Sequence, residues 1–289
     1  MIWVDTLIQG ILLGGLYALF ATGLSLIFGI MRLVNLAHGD FMILGAFAVL
    51  IGIEALGLNI MVSAILAAML MFIVGYVLQY VLLNRTLGKD ILPPLLVTFG
   101  LSIILQNGML EAFSADTRRL KAGGLEDVSI QLGENLAIGA MPLLTFISAI
   151  VVILALNTLF YRTETGRAFR ATSDDPVTAQ LMGIDNNRIF ALAMALAMLV
   201  VAIAGLYLGS RATFDPSMGP TRLIFAFEAV IIGGLGSLWG TLAGGVILGL
   251  AQTIGARIDP EWQMLAGHIV FLIVLVFRPR GLFPRTVDT

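Results

Sequence analysis

The sequence predicts an all-α, polytopic transmembrane helical bundle of about eight or nine spans with broken helices, and three observations carry that prediction. Of 289 residues, 59% are hydrophobic and 12% charged, whereas soluble domains average roughly 45–50% apolar and roughly 25% charged residues. The apolar residues fall in runs, such as 60–83 and 190–208, of about the 20 residues that a helix needs to cross a hydrocarbon core. Glycine recurs at four-residue intervals, at Gly236, Gly240 and Gly244, at Gly245 and Gly249, and at Gly10 and Gly14. That spacing lets membrane helices approach closely. The alternating ten-residue segments of a membrane β-barrel are absent.

Taken in order, the segments are 4–30, 36–55, 60–83, 93–113, 138–160, 189–209, 221–236, 239–256 and 263–277. The first lacks a basic leader and a small-residue cleavage site, so it is read as a span with Trp3 at the interface. The second follows a polar interruption, Arg32, Asn35, His38, Gly39 and Asp40, in "FGIMRLVNLAHGDFMILGAF". A long polar loop, 114–137, separates the fourth from the fifth, and a polar insert, 162–188, separates the fifth from the sixth. The seventh and eighth are divided by glycines and Ser237 in "IIGGLGSLWGTLAGG".

Nine spans place the termini on opposite sides, and positive charge orients them. With the N-terminus outside and the C-terminus cytoplasmic, the inner side holds Arg32, Arg85, Lys89, Arg162, Arg167, Arg170, Arg188, Arg278, Arg280 and Arg285 of the 16 Lys and Arg residues. Arg118, Arg119, Lys121, Arg211, Arg222 and Arg257 remain outside, and loop 114–137, which also carries Glu134, becomes extracytoplasmic. An eight-span reading, with 221–236 re-entrant, moves the C-terminal arginines outside and fits worse. The whole chain, 1–289, reads as one transmembrane domain.

Several chemistries are excluded. There are no cysteines, hence no disulfides, thiolate metal sites or Cys nucleophiles. No Gly-x-x-x-x-Gly-Lys-Ser/Thr phosphate loop, His-Glu-x-x-His or Gly-x-Ser-x-Gly occurs. His38 and His268 are the only histidines. Nothing argues for an enzyme, and no metal or other cofactor is expected in this chain.

The two interruptions lie in opposite halves, and paired breaks of this kind point to a transport path. Candidate path residues are Asn35, His38, Gly39 and Asp40 in the first and Gly233, Gly234, Gly236 and Ser237 in the second. Glu228 joins them, because a carboxylate several residues inside a span is costly; a pairing with Arg222 is its structural alternative. Ordinary surface turns and helix packing are the plainer readings of the breaks and glycines.

The insert "GRAFRATSDDPVTAQLMGIDNNR" is the most polar stretch of the chain, yet it reads as folded. Asp175 followed by Pro176 is a helix start, and Gly183 is placed to end that helix at its C′ position. Val177, Gln180 and Leu181 share a face. Upstream, "TETGRAFRAT" makes a second short helix with Arg167 and Arg170 at i and i+3. Two short amphipathic helices either lie in the membrane interface or dock against a soluble partner.

Four blocks, "GLSLIFGIMRLVNLAHGDFMILGAF", "ETGRAFRATSDDPVTAQLMGIDNNRI", "AVIIGGLGSLWGTLAGGVILGL" and the terminal "RPRGLFP", resemble the permeases of branched-chain amino-acid ABC importers, of the LivH type. They lie in the same order over nearly the whole chain. The resemblance implies a bacterial inner-membrane subunit that pairs with a second homologous permease. Two cytoplasmic ATP-binding-cassette ATPases, which hold the ATP and Mg, would dock below, and an extracytoplasmic solute-binding protein would deliver substrate from above. It further implies that the insert is the ATPase-coupling loop, with Gly166, Arg167, Arg170, Asp175, Pro176, Leu181, Met182 and Gly183 at the contact. Leucine, isoleucine and valine are the expected substrates, with urea or short-chain amides as the alternative within the family. Two other classes stay open on the residues alone: a passive channel for a small neutral solute, and an ion- or proton-driven transporter using Glu228.

Overall fold

A computed structural model describes residues 2–88, 90, 92–121, 123–133 and 136–283; Lys89, Glu134 and Arg285 lie outside them. A chain this apolar must satisfy its backbone hydrogen bonds internally, and it does so as helices. In order these are α1 (Ile2–Met31), α2 (His38–Glu54), α3 (Ile60–Val81), α4 (Leu92–Phe113), α5 (Ala140–Arg162), α6 (Glu164–Asp174), α7 (Pro176–Leu181), α8 (Asn186–Arg211), α9 (Gly219–Gly233), α10 (Leu238–Ile258) and α11 (Trp262–Phe277). Nine of them coincide with the nine expected segments to within a few residues. Polar residues start several: Asn59 accepts from Val62 N (2.9 Å), Asp185 from Arg188 N (3.3 Å) and Ser237 from Gly240 N (3.1 Å).

Among the described residues, α1, α3, α4, α5, α8 and α10 are long and apolar enough to cross a membrane, and α11 is a shorter apolar helix. The chain is a multi-pass membrane protein. Helix α1 is the buried axis, while α3, α4 and α5 turn most of their apolar side chains outward. The glycine spacing acts at the crossing of α1 and α10. An added Cβ on Gly249 would lie 2.5 Å from Gly14 N, and one on Gly245 would lie 2.7 Å from Ala18 N. Only hydrogen fits at such a crossing.

The segment 114–137 contains structure that composition did not reveal. Strands β1 (Ser129–Gly133) and β2 (Leu136–Gly139) form an antiparallel hairpin, and Arg118 bridges to Phe214. Gln9 Nε2 donates to Ala137 O, 3.4 Å away, so the hairpin and the start of α1 share one end of the bundle.

The opposite end is tied together by three contacts. Ser173 Oγ donates to Gly29 O (2.6 Å), Asn84 Nδ2 donates to Asn187 O (3.1 Å), and Leu282 N and Phe283 N donate to Ile232 O and Gly233 O (3.0 and 2.9 Å). This end therefore holds the α6–α7 insert, the α9–α10 turn and residues 278–283.

Three of the helices that match expected spans are shorter than a hydrocarbon core. At 1.5 Å per residue, α2 (17 residues), α9 (15 residues) and α11 (16 residues) reach roughly 25, 22 and 24 Å, below the ~30 Å of such a core. Of these, α2 and α9 begin inside the bundle: His38 bonds to Phe20 O in mid-α1, Asp40 to Ser102 in mid-α4, and Gly219 touches Asp40.

Candidate functional site

The insert is built as a rigid bracket. Thr163 caps α6 by accepting from Gly166 N, 3.0 Å away. Gly166 lies so close to the carbonyls of Leu159 and Phe160 that a side chain would collide with them. Phe169 is buried and stacks on Phe160, with centroids 5.3 Å apart. Arg170 turns inward as well, donating to Phe160 O and lying 5.3 Å over the Tyr161 ring. Arg167 is exposed and pairs with Glu164 at 3.3 Å. The two arginines, expected on one side of α6, do different work.

Helix α7 follows the sequence reading closely. Asp175 accepts from Val177 N (3.0 Å), Thr178 N (3.1 Å) and Thr178 Oγ1 (2.5 Å), and Pro176 occupies the first turn. Those bonds, the Thr178 hydroxyl first, hold the Asp175 carboxyl below the usual carboxylate range. Asn186 Nδ2 donates to Pro176 O at 2.6 Å, and Gly183, at φ +88°, ends the helix. The bracket presents Val177, Leu181 and Met182 at 70%, 82% and 79% exposure. Of the eight expected contact residues, Gly166 and Arg170 face the bundle; Arg167, Leu181 and Met182 face away; Asp175, Pro176 and Gly183 shape the turn.

The candidate path residues divide into three places. Asn35 caps the turn through Ala37 N (3.0 Å), His38 Nε2 lies 2.8 Å from Phe20 O, and Asp40 Oδ2 accepts from Ser102 Oγ (2.5 Å). Gln106 Nε2 donates on to Ser102 Oγ at 3.0 Å. Gly39 lies against the start of α9, where an added Cβ would be 3.0 Å from Leu223 N. Asn35, His38 and Asp40 are fully buried, so they form a closed junction of two helix N-termini around one carboxylate. The positive ends of α2 and α9 both favour that charge. Ser102, Gln106 and Gly219 were not singled out from sequence; the spacing of Thr98, Ser102 and Gln106, four residues apart in an apolar span, was the available signal.

Gly233, Gly234, Gly236 and Ser237 lie at the far end of α9, roughly 21 Å along the helix by rise alone, so the two breaks are not one cluster. Gly234 and Gly236 take φ of 109° and 79°, and Ser237 caps α10. An added Cβ on Gly29 would lie 3.0 Å from Gly236 Cα, which places this turn against the end of α1. Glu228 is 3% exposed and its partner is His268 of α11, not Arg222. Arg222 lies six positions earlier on α9, on another face, and Met218 Sδ is 3.6 Å from its Nη2.

A bundle of crossing helices, with two short helices that begin at its centre and a capped polar bracket at one end, is the architecture of a polytopic permease. The family model for the branched-chain amino acid transport system permease component matches residues 6–276, and the chain belongs to that family. It is 31% identical to the high-affinity branched-chain amino acid transport system permease protein BraD of Pseudomonas aeruginosa, over 98% of this chain and 96% of the relative. Identity to the Escherichia coli permease protein LivH of such a system is 27% over the same shares. To LivM of Escherichia coli it is 24%, over 94% of this chain and 68% of the relative.

Proposed function

We propose that the chain is one of two homologous permeases in an ABC importer of branched-chain amino acids in a bacterial inner membrane. Its N-terminus is outside, its C-terminus and the α6–α7 bracket are cytoplasmic, and loop 114–137 faces the solute-binding protein. The observation that carries this reading is the exposure of Val177, Leu181 and Met182 on a helix that is capped, anchored and surrounded by polar residues. Such an apolar knob marks a docking surface, and a cytoplasmic ATPase is its partner. ATP and Mg belong to that partner.

The mechanism follows from the bracket's anchorage. Motion of the ATPase displaces α7 and with it α6. The Ser173–Gly29 hydrogen bond and the Gly29–Gly236 contact carry that displacement to α1 and the α9–α10 turn. Helix α9 then transmits it to the junction at Asp40 and Gly219, whose opening exposes the path between the permeases. Rigid-body gating of this kind needs a substrate-bound and an empty arrangement of the same helices.

Affinity capture of the chain from its native membrane in mild detergent, followed by mass spectrometry, tests this. One similar permease and two phosphate-loop ATPases should accompany it, and Leu181→Glu should lose the ATPases while keeping the permease. Recovery of the chain alone, still conducting solute, would sink the proposal.

A further inference from the structure

We propose that the cavity between α6 and the α9–α10 turn is a binding site for a small carboxylate carried on a short apolar body. The cavity measures about 230 Å³ and is lined by Ser25, Leu26 and Ile30 of α1, Asn157 of α5, Arg170 of α6 and Trp239 of α10. Sites for drug-sized ligands occupy ~300–1,000 Å³, so this occupant is smaller.

The sign of the site is unambiguous. No Asp or Glu lines it, and Arg170 is its one charged group. Among the described residues no carboxylate pairs with Arg170; it leans on a carbonyl and a ring instead. The N-terminus of α10, a helix of 21 residues, opens on the same space. Ser237 takes up Gly240 N and Thr241 N, while the amides of Leu238 and Trp239 have no helical acceptor by position. Ser25, 1% exposed, is among the lining residues. The Arg170 guanidinium, the α10 N-terminus and the Asn157 amide thus line one cavity, which favours an anionic head.

The opposite wall, Leu26, Ile30 and Trp239, takes an apolar body. A zwitterion is disfavoured because no acid is present for its ammonium group. Occupancy would offer Arg170 a carboxylate in place of the Phe160 carbonyl, at the hinge between α5 and α6.

Trp239 supplies the readout. In the full chain, Trp3→Phe and Trp262→Phe leave Trp239 alone of the 3 tryptophans. In phosphatidylcholine nanodiscs, its fluorescence is titrated with 4-methylpentanoate and with 4-methylpentanamide, which has the same body without charge. The acid should saturate, and the amide should bind at least about tenfold more weakly, as should the acid to Arg170→Gln. Asn157→Ala should weaken the acid severalfold. If Arg170→Gln does not fold, the acid–amide comparison on the parent decides alone. Equal response to acid and amide, equal response to acid and L-leucine, or a response reproduced by adding phosphatidylglycerol to the discs would overturn the proposal. None of these readings depends on transport or on ATPase docking.

Discussion

The carboxylate of Asp40, in the first turn of α2, lies against the α-carbon of Gly219, the first residue of α9, so closely that any side chain at 219 would overlap Asp40 Oδ1. Two short helices therefore begin at the same point inside the bundle. Their N-terminal dipoles face one carboxylate, and Ser102 ties that carboxylate to α4.

Gly219→Ala should strain this junction. Overpacking of this kind costs about 1–3 kcal/mol, read as a lowered melting temperature in detergent together with reduced uptake. Gly108→Ala is the control: nothing lies within 4 Å of an added Cβ there, so melting should be unchanged. Equal melting of both variants would contradict the close contact.

Leu181→Glu and Met182→Glu should leave the fold intact, since both side chains are exposed and surface changes stay within about 0.5 kcal/mol. Each should abolish ATP-driven uptake and capture of the ATPases. Retained uptake with normal capture would remove α7 from the interface.

Asp175 gives the bracket a defined pH response. Its folded pKa is depressed, so its contribution is present above the ordinary value of 3.8 and is lost as pH falls through the lower folded value. Protection of Val177 and Thr178 from amide exchange should hold from pH 7 to about 5 and fail only below the ordinary carboxylate range. Asp175→Ala should remove that protection at every pH. Loss near pH 6 in the parent would assign the effect to another group.

The Glu228–His268 pair joins α9 to α11 and is read as structural. Glu228→Gln keeps a hydrogen-bonding group beside His268, so uptake should remain ATP-driven and survive collapse of the proton gradient. Uptake that follows the gradient, and stops in Glu228→Gln, would favour a proton-driven transporter.

How much of this was legible follows from how local each signal is. The nine apolar helices were readable because each is set by its own composition, although among the described residues only six of them are long and apolar enough to cross a membrane. The bracket was readable because Asp175, Pro176 and Gly183 act on backbone atoms within a few residues. The junction of Asp40 with Gly219 and Ser102 was not, because it joins residues far apart in sequence and two of the three look like ordinary helix residues. Glu228 drew notice as a buried charge, but its partner lies 40 positions away. Arg170 was expected on the same side of α6 as Arg167; with Phe169 buried and Gly166 fitted against α5, Arg170 turns inward while Arg167 stays exposed.

The most direct test of the central claim is uptake by proteoliposomes holding the chain, its homologous permease, the ATPases and the solute-binding protein. Labelled L-leucine should accumulate only when ATP is supplied on the α6–α7 side, and Leu181→Glu should abolish that accumulation. Equilibration of leucine through the chain alone, without ATP, would contradict the account.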